Sequence, residues 1–540
     1  MRVKEVLHEP VKPNHVSSVS VVASTLIRTV HPKHNAMRLR VRLSAFLFVV
    51  VSACLLLLLL TIFELRSIRT DHDTYHHEEQ NIRAIRSHMA QPASVGLTYA
   101  IFARDWEKSG YLQHVIKVLD HYGYTRIELD NKTQNWDLLW AHDYPYTKIN
   151  LKQLKPHQKI NHFPGTGYIT NKMDLATTNM SQIPKAFLIP DHKNELLKFA
   201  SANPNKLFVQ KSNNHRGIVI KPIAQLDLNS GGSFVQEYVA NPLLIDGYKF
   251  DIGLYTAITN IDPLNVYVYS GEVLFRFCPT KYHPFDPKNV DKYVIGDDYL
   301  PTWEVPSLKH YYNNMGYGMK ESFDAYMRAQ GKNPEKVWTQ VDEAIRSITL
   351  NKEPMLQQLL KYYSSKHNFF EMMRFDFVID DDLNVFVMEA NMSPNLSSAH
   401  FPPNRLLYEQ VLFNLFSLAG LGLVHNRMKK NLDASMEVAL KNLVVEADSC
   451  SRELCTSSCE SPVCLVCKQC LSDSTMLTLQ KQYLQYINRR DMRRVFPPRM
   501  NKDGTFNSSL VSLKEDELSP ENQLSVRWFR GKCLLNSDWC

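Results

Sequence analysis

The sequence predicts a mixed α/β protein with an apolar segment near its N-terminus and a cysteine-rich C-terminal region. Three observations support this prediction. Runs rich in Val, Phe and Ile, which are typical of strands, alternate with segments of helical spacing from residue 97 onward. Residues 43–63 contain no charged side chain. Eight of the ten cysteines follow residue 449.

The composition is that of a globular protein, with 44% apolar and 22% charged residues in 540. The formal net charge of +7 favours an acidic partner. Acidic protein tails, nucleic acid and anionic lipid would all satisfy that charge. Nucleic acid is disfavoured, because no basic run with interleaved aromatic residues occurs in the chain.

The N-terminal segment, residues 1–96, is predicted to anchor the chain in a membrane. Residues 1–42 are basic, show no periodicity and are expected to be a disordered leader. Residues 43–63 are about 20 residues long, which is enough to cross a bilayer as one helix. A cleaved signal peptide competes with this interpretation, but the apolar run is long and no small-residue cleavage site follows it. We therefore predict an uncleaved signal anchor, followed by a charged stalk at 64–96.

The charges that flank residues 43–63 predict the orientation of the span. Basic residues precede the span more closely than they follow it, which keeps the N-terminus in the cytosol. The main domain would then be lumenal or extracellular. Four glycosylation triplets are compatible with that location, although such triplets also arise by chance: Asn131, Asn179, Asn395 and Asn507.

The folded part is expected to start with a small αβ unit at residues 97–158. It contains a strand at 97–102, a helix at 112–121 and a strand at 137–140. Later elements are a helix at 194–202, strands at 234–238 and 248–256, a hairpin of 266–269 with 273–277 around Ser270 and Gly271, and helical segments at 319–365 and 405–423. Within 319–365 the spacing predicts five core positions: Phe323, Tyr326, Met327, Val337 and Val341.

An acidic hairpin is predicted from two apolar strands at residues 375–379 and 385–391. If Asp382 and Leu383 form the turn between them, Asp376 lies opposite Glu389. Because a strand alternates its faces, Val387 and Glu389 are expected to share one side of the second strand.

Three polar side chains of this hairpin converge on one patch: Asp376, Glu389 and Asn391. Two carboxylates and an amide supply oxygen ligands, which suit Mg²⁺ that carries nucleotide phosphates. The alternative is a solvated hairpin with a polar face, which is the commoner origin of such a pattern.

Basic residues precede the hairpin in the chain. Lys211 ends a predicted strand and Arg216 lies in the following loop, where such groups can cover phosphates. A surface hairpin with two cations would look the same. Arg276 is charged among apolar residues, which usually indicates a rim or ion-paired residue. Alternation places three residues of strand 248–256 on one face: Lys249, Asp251 and Gly253.

The C-terminal region, residues 425–540, is set apart by its cysteines. The run CLVCKQC at 464–470 has metal-ligand spacing. The even number of cysteines equally suits disulfides in an oxidising compartment. We favour disulfides, because no matching His-x₃-His pair accompanies the cluster and the apolar span favours a secretory location.

The order of several motifs is more specific than any one of them. The chain contains NHFPG followed by NKMDL, then VQEYVANPLLIDGYKFD, then FDFVID and VFVMEANMSP. In these motifs, across residues 97–424, it resembles the tubulin–tyrosine ligase-like family, with an anchored N-terminus similar to that of a membrane-spanning invertebrate branch. The resemblance implies an ATP-grasp core at 159–424, with two αβ lobes that clamp ATP, behind the small domain at 97–158.

The resemblance also implies a reaction. ATP phosphorylates a glutamate side-chain carboxylate, and the amine of a free amino acid, most simply glutamate, then displaces phosphate to form an isopeptide bond. The implied function is therefore a polyglutamylase that uses ATP and Mg²⁺ on acidic tubulin tails. Two alternatives are a membrane-anchored nucleotide-binding pseudoenzyme and a lumenal ligase for another acidic protein.

The resemblance assigns expected roles to residues of this sequence. Lys172 and Lys211 would contact phosphates, and Arg216 lies in the adjoining loop. The expected adenine hinge is Gln236, Tyr238 and Val239. Lys249 and Asp251 would line the nucleotide and substrate side, and Arg276 would meet the γ-phosphate or acyl phosphate. The expected catalytic residues are Lys249, Arg276 and Glu389, and the expected metal ligands are Asp376, Glu389 and Asn391.

Two departures from the family pattern concern charge. The family usually has Arg two residues after the aspartate matched by Asp251, where this chain has Gly253. Its Leu-Thr-Asn-Tyr motif is replaced by VDKYVIGDD at 290–298, so that Asp291 and Lys292 stand for the Thr-Asn pair. Loss of one transition-state cation can cost on the order of 10³-fold in rate. Lys292 is a candidate replacement, and the departures motivate the pseudoenzyme alternative.

Overall fold

The computed structural model describes residues 96–130, 134–212, 218–229, 231–422, 438–445, 450–506 and 513–540, together with three helical and exposed residues, Leu55, Leu58 and Thr61. The chain divides into two compact units, Met1–Ser94 and Val95–Cys540. Apart from those three residues, the predicted leader, span and stalk up to residue 95 lie outside the described residues. No helix in the described part is long and apolar enough to cross a bilayer.

The larger unit begins with a parallel four-stranded sheet. Its strands are β1 (Leu97–Phe102), β2 (Tyr124–Arg126), β3 (Leu138–Ala141) and β4 (Lys159–Ile160), in the order β2-β1-β3-β4. Two helices connect the first two strands, α1 (Trp106–Ser109) and α2 (Gln113–His121). Helix α2 buries Val115, Val118 and Leu119 on one face, as the predicted helical spacing requires. The expected strands and helix of this unit therefore lie close to the observed ones.

A second, antiparallel sheet forms a smaller lobe. After the short helices α3 (Gly167–Thr170) and α4 (Lys172–Ala176) come β5 (Ala186–Ile189), α5 (Lys193–Ala202), β6 (Phe208–Ser212), β7 (Val219–Lys221) and β8 (Ser233–Glu237). The strand order is β5-β8-β6-β7. Leu196 of α5 packs with Phe187, Phe208 and Val235 of the sheet in a core of its own. This lobe therefore has its own apolar support.

The third sheet is the largest and contains eight strands. They are β9 (Leu244–Ile245), β10 (Tyr248–Ile261), β11 (Leu264–Tyr269), β12 (Leu274–Phe277), β13 (Leu300–Pro301), β14 (Glu371–Ile379), β15 (Val385–Asn391) and β16 (Met492–Phe496). The path β13-β12-β10-β11-β16 runs through the sheet, and β14 pairs with both β10 and β15. Strand β10 is thus the centre on which both arms depend.

The predicted hairpin around Ser270 and Gly271 is wrong. Strands β11 and β12 do not pair with each other in this sheet; both pair with β10, at Thr256–Ile261 and Phe250–Gly253 respectively. Strand β14 pairs with Ile252–Ile258, so it occupies the opposite edge of β10. The 14 residues of β10 are long enough to hold two short strands end to end along one edge.

Helices cover this large sheet: α6 (Pro306–Lys309), α7 (Met319–Ala329), α8 (Glu335–Leu360) and α9 (Asn404–Leu418). The segment predicted as helical at 319–365 is two helices, because Gly331 adopts a positive φ of 70° and Pro334 follows it. The predicted core positions of this segment are buried, except for Tyr326, which is half-buried.

The C-terminal region contributes to the same unit. It contains α10 (Glu453–Ser457), α11 (Asp473–Ile487), β16 and α12 (Pro520–Leu535). Strand β16 pairs antiparallel with β11 and buries Val495 and Phe496. The sequence had set residues 425–540 apart, whereas here one strand of that region completes the sheet that carries β10 and β14.

The eight cysteines of this region form four disulfides. The pairs are Cys450–Cys467, Cys455–Cys464, Cys459–Cys470 and Cys533–Cys540. Among the described residues no cluster of three or more His, Cys, Asp or Glu side chains is arranged to hold a metal ion. The preferred interpretation of the cysteine cluster, disulfides rather than zinc, is confirmed.

Candidate active site

A cavity of about 190 Å³ lies between the smaller lobe and the large sheet. Most of the site residues expected from the sequence line it: Lys172, Lys211, Gln236, Tyr238, Val239, Lys249, Asp251, Arg276, Asp376 and Glu389. Asn391 adjoins them through its hydrogen bonds, and Arg216 lies outside the described residues. The fold thus brings together side chains that are more than 200 positions apart in sequence.

Three lysines enter the cavity from three different elements. Lys172 begins α4, and its Nζ lies 3.0 Å from Oε2 of Glu389. Lys211 of β6 donates to Oε1 of Gln236 over 2.9 Å. Lys249 of β10 donates to a backbone carbonyl of the altered 290–298 segment over 2.8 Å. Each ammonium group is therefore held in place by an oxygen of the protein before any anion binds.

Burial changes the acid–base properties of these lysines. Loss of solvation lowers the pKa of Lys211 to about 8, with Glu389 acting in the opposite direction. Burial also lowers the pKa of Lys249. A buried cation of this kind is poorly solvated, so the approach of a phosphate stabilises it more than it would a surface lysine.

Arg276 forms ion pairs with two carboxylates, those of Asp251 and Asp376. Its Nε and Nη2 donate to Oδ1 and Oδ2 of Asp251 over 2.9 and 2.6 Å. The same Nη2 donates to Oδ2 of Asp376 over 2.9 Å. Asp251 and Arg276 are register partners on β10 and β12. Of the two roles expected for an arginine here, a rim residue or an ion-paired residue, the structure shows the second.

The predicted pairing of Asp376 with Glu389 is confirmed. Between the turn and Phe377, however, the strands pair one residue away from the predicted register. Asn391 donates from Nδ2 to Oδ2 of Asp376 over 3.2 Å and to Oε1 of Glu389 over 3.1 Å. The expectation that Val387 and Glu389 share a face is wrong. The register shifts beyond Asp376 so that Phe377 pairs with Val387.

That register shift is a β-bulge, and it changes the face of the sheet on which the side chains at the end of β15 lie. Val387 packs in the core, whereas Met388 and Glu389 both line the cavity. A bulge inserts one residue into one strand of a pair and so reverses the alternation beyond it. Glu389 therefore reaches the cavity because of the bulge and not because of strict alternation.

The donor set of Asp376, Glu389 and Asn391 fits Mg²⁺, because carboxylate and amide oxygens are its preferred protein ligands. The fit differs among the three residues. Glu389 contacts Lys172 and Asn391, and 29% of its side chain is exposed. Asp376 is buried, and both of its oxygens accept hydrogen bonds from guanidinium groups. Glu389 and Asn391 are thus the more accessible of the three donors.

One residue of the site was missed by sequence analysis. Arg374 of β14 donates from Nε to Oδ1 of Asp376 over 2.6 Å and from Nη2 to Oδ2 over 2.8 Å. Although burial alone would raise the pKa of Asp376, Arg374 and then Arg276 hold it below its ordinary value. Alternation could have found Arg374, because it precedes Asp376 by two positions and therefore shares its face of the strand.

The candidate replacement cation of the sequence analysis lies elsewhere. Lys292 donates from Nζ to the backbone carbonyl of Pro284 over 2.6 Å. It is not among the residues that line the cavity, although its neighbours Tyr293, Val294 and Ile295 are. The altered 290–298 segment therefore lines part of the cavity and supplies the carbonyl that accepts from Lys249. Lys292 itself does not line the cavity.

The chain was compared with known proteins once this geometry was established. A sequence profile of the tubulin–tyrosine ligase family matches residues 149–431, slightly more than half of the chain and all of the site residues described above. The chain belongs to the tubulin–tyrosine ligase family. The mixed α/β architecture with a cavity between two lobes agrees with the ATP-grasp fold that the resemblance implied.

Relatives with assigned names extend this result. A Caenorhabditis elegans protein named probable tubulin polyglutamylase ttll-15 is 41% identical over 446 residues, which are 80% of this chain and 84% of that protein. Tubulin polyglutamylase TTLL6 of Mus musculus is 27% identical over 53% of this chain and 37% of its own length. Tubulin monoglutamylase TTLL4 of Homo sapiens is 27% identical over 58% of this chain and 27% of its own length.

The lowered pKa of Lys211 predicts a pH-dependent affinity for ATP. Lys211 loses its proton as pH rises through about 8, and a neutral amine no longer attracts phosphate. Calorimetric titration with ATP is expected to show an affinity roughly tenfold weaker at pH 9 than at pH 7, because one charge–charge contact is lost. Lys211→Arg, which stays charged, should flatten this dependence. An equal pH dependence in Lys211→Arg and the unmodified chain would contradict the assignment.

Proposed function

We propose that this chain is an ATP- and Mg²⁺-dependent ligase that adds glutamate to side-chain carboxylates of tubulin tails. The observation that carries the proposal is the convergence of lysines, arginines and carboxylates from both lobes on one cavity. The names of the relatives, tubulin polyglutamylase and tubulin monoglutamylase, support tubulin as the acceptor and glutamate as the added amino acid.

The reaction has two displacements. An oxygen of the acceptor carboxylate attacks the γ-phosphorus of ATP, and ADP leaves with the electron pair of the broken bond. The amine nitrogen of glutamate then attacks the acyl carbon, phosphate leaves, and the nitrogen gives up a proton. Both steps bring anions together, so catalysis requires fixed positive charge more than covalent participation by the protein.

The residues of this chain meet that requirement in different ways. Lys172 and Lys211 present ammonium groups from the smaller lobe, where the phosphates of ATP would lie. Arg276 provides a guanidinium that two carboxylates hold in one orientation, so it needs no reorganisation as charge develops. Bound Mg²⁺, held by Glu389 and Asn391 with Asp376, would neutralise phosphate charge that otherwise repels the incoming carboxylate.

Burial protects the intermediate. Asp251 is 8% exposed and Asp376 is 1% exposed, so the innermost part of the site is largely closed to solvent. An acyl phosphate is hydrolysed by water, and a site that excludes water favours transfer to the amine. The buried arginine–carboxylate cluster therefore suits transfer rather than simple ATP hydrolysis.

Glutamate incorporation tests this proposal directly. The full-length protein with ATP and Mg²⁺ is expected to transfer radiolabelled glutamate to tubulin, and Glu389→Gln should abolish transfer by removing a charged ligand from the site. Asp382→Asn is the matched control, because Asp382 is an exposed carboxylate at the turn of the same hairpin. Binding of ATP without transfer of glutamate, glycine or tyrosine to any acidic acceptor would favour the pseudoenzyme alternative.

A second candidate acceptor is favoured by the disulfides. Four disulfides in one region are typical of proteins that fold in an oxidising compartment. We propose with this candidate that residues 43–63 anchor the chain and that the catalytic unit faces the lumen. The acceptor would then be an acidic protein of the secretory route, since tubulin is cytosolic.

Glycosylation separates the two acceptors. Asn179 is exposed and carries the triplet for N-linked glycosylation. If the catalytic unit is lumenal, endoglycosidase should increase the mobility of the full-length protein expressed in animal cells. Asn179→Gln should remove that part of the shift, and alkaline extraction should leave the protein with the membranes. An unglycosylated chain with reduced cysteines would place the catalytic unit with tubulin in the cytosol.

A further inference from the structure

Gly253 lies at the centre of the candidate active site, directly opposite Asp376 on the neighbouring strand. Its φ lies outside the left-handed region, so its backbone does not itself require glycine. The restriction is steric. A Cβ at this position would lie 2.9 Å from Cδ and 3.1 Å from Nε of Arg374, and 3.3 Å from Oδ1 of Asp376. The side chain of Arg374 therefore occupies the space above Gly253.

The position of Arg374 is fixed by its partners. Its guanidinium makes two hydrogen bonds to Asp376, and only 9% of its side chain is exposed. Asp376 accepts a further hydrogen bond from Arg276, which in turn holds Asp251. The four side chains form a row of alternating charge across β12, β10 and β14, which we call the charge ladder: Asp251, Arg276, Asp376 and Arg374.

The charge ladder is electrically neutral only because of Arg374. Without it, two carboxylates would face one guanidinium, and this part of the site would carry a net negative charge. Such a charge repels both anions that must meet there, a phosphate and an acceptor carboxylate. The loss of one such cation from a phosphoryl-transfer site typically costs on the order of 10³-fold in rate.

We infer that Arg374 is a positioning residue of the transfer site. Its side chain reaches the site from β14 by passing over Gly253 of β10. It supplies the guanidinium that β10 lacks at position 253, and it orients the carboxylate of Asp376. Gly253 and Arg374 are then one functional pair, in which the glycine exists to admit the arginine. This inference rests on the proposed ligase function. It also removes the reason for regarding Gly253 as a mark of inactivity.

The contacts of Arg374 alone do not distinguish a positioning role from a purely structural ion pair, because both would show the same hydrogen bonds to Asp376. Charge relocation separates the two roles, because it moves the guanidinium to the other strand. In the double variant Gly253→Arg with Arg374→Gly, the arginine starts from β10 and the space above it is empty. A structural ion pair would be lost in this variant, whereas a requirement for a cation on this face would be met.

The test compares four full-length variants by kcat, by KM for glutamate, and by the affinity for ATP with and without Mg²⁺. Arg374→Gln is expected to lower kcat by about 10²–10³-fold with little change in ATP affinity. The double variant should recover at least about tenfold of that loss. Gly253→Ala should lower kcat because its Cβ displaces Arg374. Arg493→Gln is the matched control, since Arg493 pairs with Asp342 outside the site, and it should leave kcat unchanged.

Thermal unfolding supplies a readout that does not depend on activity. Gly253→Ala should lower Tm in the unmodified chain but not in an Arg374→Ala background, where no side chain opposes the new Cβ. Effects on Tm that add independently, or a kcat of Arg374→Gln within threefold of the unmodified chain, would overturn the inference. If the unmodified chain transfers no amino acid, the proposed function fails. The comparison of Tm for Gly253→Ala in the unmodified and Arg374→Ala backgrounds then still decides whether Arg374 is coupled to Gly253. The Mg²⁺ dependence of ATP binding decides whether it is coupled to the site.

Discussion

The candidate active site depends on the pairing of β10 with β12 on one edge and with β14 on the other. This pairing places Asp251, Arg276, Asp376 and Arg374 side by side in a largely buried position. Each member would be costly to bury alone, and each is compensated by a neighbour of opposite charge. The large sheet, completed by β16 from the C-terminal region, keeps β10 at its centre. The chemistry of the site therefore relies on strand register over more than 120 positions of sequence.

The part of the site that depends on local pattern was predictable. The two strands of the acidic hairpin follow from their apolar residues and the short turn between them, whereas the pairing of Asp376 with Glu389 is reached only through the bulge. The residues from Lys172 to Arg276 that were assigned through motifs line one cavity, apart from Arg216, which lies outside the described residues. Their individual roles in binding ATP remain predictions.

The parts that were missed depend on contacts between distant segments. The bulge beside Glu389 and the failure of β11 to pair with β12 are decided by the whole sheet, not by the strands' own sequences. The relation of Gly253 to Arg374 becomes visible only when β10 and β14 are aligned. The cysteine connectivity is of the same kind, since six clustered cysteines allow 15 pairings. In each case the outcome is decided by which distant segments lie side by side, and local residue patterns do not determine that.

The compartment and the chemistry of this chain set different constraints on its acceptor. The four disulfides favour an oxidising environment, whereas the names of the relatives point to tubulin. The proposed ligase mechanism is compatible with either acceptor, because both would present a carboxylate to the same cations of the cavity. The central claim is therefore the formation of an acyl phosphate, whichever acidic protein supplies the carboxylate.

Isotope transfer measures that step most directly. An acidic acceptor peptide with ¹⁸O in its side-chain carboxylates is incubated with the full-length protein, ATP, Mg²⁺ and glutamate, and the released phosphate is analysed by mass spectrometry. Our account predicts one ¹⁸O atom in the phosphate released for each glutamate joined to a labelled carboxylate in the first turnover, because the carboxylate oxygen attacks the γ-phosphorus and leaves with it. Phosphate without label would show that water is the acceptor, and would contradict the assignment of this chain as a ligase.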